Sequence, residues 1–179
     1  MTLVRLIKIM QLPPQPTLPI RPLVKDDIPQ VHKLFNDYLS TKTKLRPEWT
    51  EEEVMHWLLP RPNIVSSFVL ENSGKIIAFC SYYEISSTVL NNPTHNRLKA
   101  AYSFYNVVSN GISLHELMNN ALIMAQLEGY DVFNCLALME NESFVKDLRF
   151  GEGSGNLRYY LYNWACPTVK PSELGMVLL

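Results

Sequence analysis

Three of the seven glycines in this 179-residue chain fall in one short run, Arg149-Phe150-Gly151-Glu152-Gly153-Ser154-Gly155-Asn156. The run precedes Leu157-Arg158-Tyr159-Tyr160-Leu161-Tyr162-Asn163-Trp164, a β-prone aromatic stretch, instead of opening a helix. It therefore matches neither the dinucleotide fingerprint nor the phosphate-binding P-loop. By spacing alone its glycines suit a tight bend that another backbone approaches closely. A second candidate for anion chemistry is Val107-Val108-Ser109-Asn110-Gly111-Ile112-Ser113, where a predicted strand meets a predicted helix. Free backbone N–H groups at such a junction can bind phosphate. One glycine and no basic residue make this one a poor cradle. His32 and His115 lie on predicted helices, His56 sits beside Trp57, and no two histidines share metal-ligand spacing. Cys80, Cys135 and Cys166 are widely separated and form no CxxC pair, which suits free thiols in a reducing compartment. The closing run Gly175-Met176-Val177-Leu178-Leu179 is apolar and reads, by itself, as core strand.

The elements that must position these residues follow from periodicity and caps. Residues 2–10 read as a strand with nothing obvious to pair with, followed by a connector carrying Pro13, Pro14, Pro16, Pro19 and Pro22. A helix opens at Asp26 or Asp27 with Pro29 in its first turn, and Val31, Leu34, Phe35 and Tyr38 form its buried stripe. Thr50 and Glu53 stand in capping-box register for a second helix that Pro60 stops. Residues 64–71 and 75–85 form a hairpin across Asn72-Ser73-Gly74, and 99–108 a third strand. Ser113 and Glu116 open a third helix, which Gly129 closes. A short strand over 131–136, a short helix over 141–148, and strands over 157–164 and 174–179 complete the chain. That order resembles the GNAT acyltransferase fold: α/β, a mixed sheet with helices on both faces. The fold alone does not name a reaction.

Composition narrows the class further. Hydrophobic residues make up 47% of the chain and charged residues 18%, which excludes a disordered polar segment. A net charge of −1 offers no basic footprint for nucleic acid or for an anionic membrane. Arg5 and Lys8 interrupt the only apolar stretch near the start, and no run reaches the ~18 apolar residues of a membrane span. The expectation is a cytoplasmic protein with no transmembrane segment and no nucleic-acid partner.

Longer stretches carry a specific resemblance. The glycine run is similar to the Lys-Phe-Gly-x-Gly-Asp-Gly signature of the protein N-myristoyltransferase family, and the Tyr-Tyr-Leu-Tyr-Asn run after it also fits. Ser87-Thr88 with Asn92-Pro93-Thr94-His95, the stretch from Leu98 to Val107, Gly129-Tyr130-Asp131-Val132-Phe133-Asn134, and the terminal Leu174-Gly175-Met176-Val177-Leu178-Leu179 belong to the same pattern. Two positions depart from the signature. Arg149 replaces its lysine and keeps the charge. Ser154 replaces its aspartate and loses the carboxylate that faces the bound peptide.

The resemblance implies one lobe of a two-lobed acyltransferase, with residues 1–22 as inter-lobe strand and connector and 23–179 as the GNAT-like C-terminal domain. The family reaction moves myristate from myristoyl-CoA, its acyl donor, to the N-terminal glycine of a protein. The family's other signature is absent from this sequence, as is the half that binds the acyl-CoA and supplies the oxyanion hole. Implied partners are peptides with N-terminal glycine and that missing half. This half itself would bind no cofactor and no metal. Ser87, Tyr102, Ser154, Gly155 and Leu157 would line the peptide groove. The general base would be the terminal carboxylate of Leu179. An ordinary carboxylate near ~3.5 facing an α-amine near ~7.8 makes that proton transfer uphill by roughly 5–6 kcal/mol, and burial narrows the gap. Such a chain is expected to be inactive alone. The alternatives are a non-catalytic peptide-binding remnant and a free-standing GNAT acetyltransferase, the latter disfavoured by the poor phosphate cradle.

Overall fold

A computed structural model describes residues 2–92, 94–109 and 111–178. Its centre is a five-stranded sheet in the order β1-β2-β3-β4-β5. β1 (Arg21–Pro22) is a two-residue edge, where a proline is tolerated because no ladder donor is needed on the outer side. β2 (Val65–Asn72) and β3 (Lys75–Thr88) form the expected hairpin, with Ser73 and Gly74 both at positive φ, as a tight hairpin turn requires. β4 (Arg97–Val108) runs antiparallel to β3, with a bulge between Cys80 and Tyr82. β5 (Val132–Asn134) pairs parallel to β4 over Ala100–Tyr102 only.

Helices cover both faces, as alternating strand residues dictate. α1 (Leu3–Met10) precedes the proline connector. α2 (Ile28–Lys42) and α3 (Glu51–Leu58) pack Val31, Phe35, Leu39, Val54 and Leu58 against Val69, Phe79, Tyr105 and Val107. α4 (Leu114–Leu127) and the single-turn α5 (Glu142–Val145) cover the opposite face, with Leu117, Ala121 and Phe144 against Phe68, Cys80, Tyr82 and Ala101. Start signals read from sequence are present as geometry. The Thr50 hydroxyl accepts the Glu53 amide at 3.2 Å, while the Thr50 amide donates to the Glu53 carboxylate at 2.8 Å. The Ser113 hydroxyl caps α4 by accepting the Glu116 amide at 3.1 Å, and Gly129 beyond it has φ +77°.

Three expected strands are corrected. Residues 2–10 are helical: among the described residues no strand edge pairs with them, so their backbone bonds locally. Residues 157–161 are irregular and unpaired, 162–163 turn with Asn163 at φ +53°, and 174–178 form one isolated parallel bridge, Leu174 with Leu45, instead of a strand. Each of these segments has strand composition but lacks a ladder partner, which composition does not supply.

Candidate functional site

The final residues thread back onto the face that carries α2. The Glu173 carbonyl accepts from the Lys44 amide at 2.8 Å, and the Gly175 amide donates to the Leu45 carbonyl at 2.8 Å. Between these bonds Gly175 lies against α2 so closely that a Cβ there would stand 2.7 Å from Thr43 Oγ1 and 2.9 Å from Leu39 Cδ2. Further on, the Val177 amide donates to the Tyr105 hydroxyl at 3.1 Å, and the Tyr159 hydroxyl donates to the Met176 carbonyl at 2.9 Å. Tyr105 comes from the middle of β4 and is held edge-on by Phe35 (4.7 Å between centroids) and Trp49 (5.7 Å). Burial pushes its hydroxyl up to about 12. Val177 is buried and Leu178 is half exposed, so the chain leaves the core at its last described residue. The expected base, Leu179, lies outside the described residues.

Tyr102, one of the expected groove residues, lies half-buried on β4, stacked on Tyr83 at 5.5 Å and 20°. Its backbone is in register with Asn134 of β5. Ser87 is exposed opposite Leu98, four residues beyond Tyr83 along β3, a distance of ~13 Å at strand rise. It therefore stands apart from the others.

A cleft of about 1330 Å³ lies along β5 and the residues after it, on the side away from β4. One wall is residues 132–138. The other is the glycine run and its continuation, and it includes Gly155, Leu157 and Tyr159. Ser154 is exposed in the same loop without lining the cleft. Cys135 lines the cleft, and burial pushes its thiol up to about 11. The structure thus brings Ser154, Gly155 and Leu157 into one loop and ties that loop, through Tyr159, to the chain end. Sequence reasoning did not single out Tyr105 or Tyr159 for this tethering. The signal available was Gly175 in an otherwise bulky apolar terminus, which marks a close approach needing partners nearby.

At the other candidate junction, α4 begins with its own anion. The Ser113 hydroxyl takes the Glu116 amide at 3.1 Å and lies 3.2 Å from the Glu116 carboxylate. A carboxylate already occupies the positive end of the helix dipole there and repels a phosphate.

The model of the family described as "Myristoyl-CoA:protein N-myristoyltransferase, C-terminal domain" matches residues 1–177. Glycylpeptide N-tetradecanoyltransferase 2 of Danio rerio is 49% identical over 180 residues, covering 99% of this chain and 36% of the relative. Among solved structures, Saccharomyces cerevisiae N-myristoyltransferase with bound myristoyl-CoA superposes with a TM-score of 0.81 at 31% identity, over 86% of this chain and 42% of that one. A Clostridium acetobutylicum protein described as a predicted acetyltransferase with acetyl-CoA, at 15% identity and TM-score 0.61, covers 79% of this chain and 94% of its own; that likeness concerns the fold alone. The chain spans well under half the length of the N-myristoyltransferases it matches. The chain belongs to the N-myristoyltransferase family and corresponds to that family's C-terminal domain.

Proposed function

We propose that this chain provides the peptide-binding half of a glycylpeptide N-tetradecanoyltransferase, which transfers myristate from myristoyl-CoA to the N-terminal glycine of proteins. The observation that carries this reading is the convergence at the chain end. Residues 174–178 are tied to β4 by Tyr105 and to the glycine-run loop by Tyr159, beside the Tyr83–Tyr102 stack. In the family scheme the base is a terminal carboxylate, and burial of such a group raises its pKa toward that of the glycine amine. In this scheme Leu179 is the base, and Tyr102, Ser154, Gly155 and Leu157 face the peptide, with Ser87 at the outer end. The half binds no cofactor; the acyl-CoA belongs to a complementary half, without which this chain transfers nothing. The carboxylate-capped start of α4 supports that division. Free cysteines accord with work in the cytoplasm.

The test is reconstitution. The purified chain is mixed with the N-terminal part of the Danio rerio relative, and acylation of a glycine-terminated peptide is followed with myristoyl-CoA. Transfer is expected from the mixture and from neither component alone. Transfer by this chain alone, or none from a mixture in which the two parts form a complex, overturns the proposal.

A further inference from the structure

The charges around the large cleft run against those of the molecule. The whole chain carries 17 acidic and 16 basic side chains and is close to neutral. At the cleft, Lys146, Arg149 and Arg158 stand against the single carboxylate of Glu152. All four are exposed, and among the described residues none of them joins an ion pair. The Arg149 guanidinium donates to the Ile9 carbonyl, a neutral acceptor that leaves its charge uncompensated. A wall with surplus positive charge favours a ligand that carries negative side chains.

Ser154 strengthens this bias. It stands where the glycine-run signature has aspartate, so the loop lacks a carboxylate that would offset Arg149 and Arg158. Its hydroxyl can still donate to a carboxylate, but it cannot pair with a cation.

The form of the cleft says what kind of anion fits. At about 1330 Å³ it exceeds the roughly 300–1,000 Å³ of small-molecule pockets, and it is far too large for a lone phosphate. Phe133, Leu136 and Leu148 give it an apolar lining. Along the opposite wall, residues 151–161 make no backbone–backbone hydrogen bond among the described residues, so their amides and carbonyls are open to an extended chain lying alongside. A peptide uses all three features: free backbone, apolar lining and surplus positive charge.

We infer that this cleft selects acidic peptides: Lys146, Arg149 and Arg158 favour substrates that carry aspartate or glutamate downstream of the N-terminal glycine. The inference rests on the reading of this chain as the peptide-binding half. Because the cations are exposed, each pairing is worth up to about fivefold in affinity, and the set roughly tenfold.

Fluorescence polarisation tests it, with the full chain alone and mixed with the N-terminal part of the Danio rerio relative. The probes are glycine-terminated peptides, labelled at the C-terminus, that differ only in carrying glutamate, glutamine or lysine at their downstream positions. The glutamate peptide is expected to bind about tenfold tighter than the lysine peptide, with the gap shrinking as salt is raised. Lys146→Glu combined with Arg158→Glu should invert that order. Lys25→Glu combined with Lys75→Glu changes the net charge equally at two exposed sites outside the cleft and should preserve it. Equal binding of the three peptides, a preference for lysine, or the same shift in both double variants overturns the inference and leaves the peptide-binding reading standing. Binding of none of the peptides, by the chain or by the mixture, overturns that reading and the selectivity with it.

Discussion

The Val177 amide and the Tyr105 hydroxyl, 72 residues apart in sequence, meet at 3.1 Å inside the core, and this bond anchors the segment after Leu174. Tyr105 is itself immobilised by Phe35, Trp49 and Phe104, so the last described residues are referred to the rigid centre of β4. Tyr105→Phe keeps the ring and removes the acceptor. A buried N–H left without a partner costs ~1–3 kcal/mol. Thermal or urea unfolding should register a loss in that range, and amide exchange at Val177 should accelerate.

The same hydroxyl sets an alkaline limit. Burial holds the Tyr105 hydroxyl up near about 12 against the ordinary 10.0. The folded chain therefore keeps a proton that the unfolded chain releases first. The stabilisation is complete below pH 10 and declines as pH rises from 10 to about 12. Two pH units correspond to ~2–3 kcal/mol. Urea titrations at pH 8 and pH 11 should show this decline, and Tyr105→Phe should lose less stability over that interval than the parent.

Gly175 is constrained by space alone, since a methyl group there would overlap Leu39 of α2 and Thr43, the residue that caps its C-terminus. Gly175→Ala should cost ~1–3 kcal/mol, the range for forcing an extra methyl into a packed site. Thr43→Ser removes the Cγ2 that stands 2.9 Å from that position and keeps the hydroxyl bonded to the Leu39 carbonyl. Adding it to Gly175→Ala should restore part of the loss. Unfolding midpoints of the two single variants and the double variant test this coupling.

If a complementary half restores transfer, Ser154 and Leu179 become testable separately. Ser154→Asp introduces a carboxylate able to pair with lysine in the peptide. A charge-assisted hydrogen bond is worth ~1.5–3 kcal/mol, or roughly ten- to over a hundredfold in discrimination. The ratio of kcat/KM for lysine-containing over lysine-free peptides should rise accordingly. An unchanged ratio removes Ser154 from the groove.

Adding one residue after Leu179 displaces the terminal carboxylate while leaving the Tyr105 and Tyr159 tethers in place. Under the proposed mechanism kcat should fall strongly with KM changed less. Equal turnover by the extended chain would exclude the terminal carboxylate as base.

Much of this molecule is local and was legible from sequence. The Thr50–Glu53 and Ser113–Glu116 caps, the Ser73-Gly74 turn and the stop at Gly129 each depend on residues within a few positions of one another, so short-range patterns suffice to read them. The long motif stretches likewise identified the family, because 98–107 and the glycine run are too specific to be packing alone. Pairing is another matter. Residues 2–10 and 157–164 have strand composition, but a strand exists only where a second backbone offers its amides and carbonyls, and no local pattern shows whether it does. For the same reason the terminal residues looked like a core strand. Tertiary structure decided that they are instead a tethered tail, because the partners that hold Gly175, Met176 and Val177 come from Leu45, Tyr159 and Tyr105, brought together only when α2, β4 and the glycine-run loop have packed.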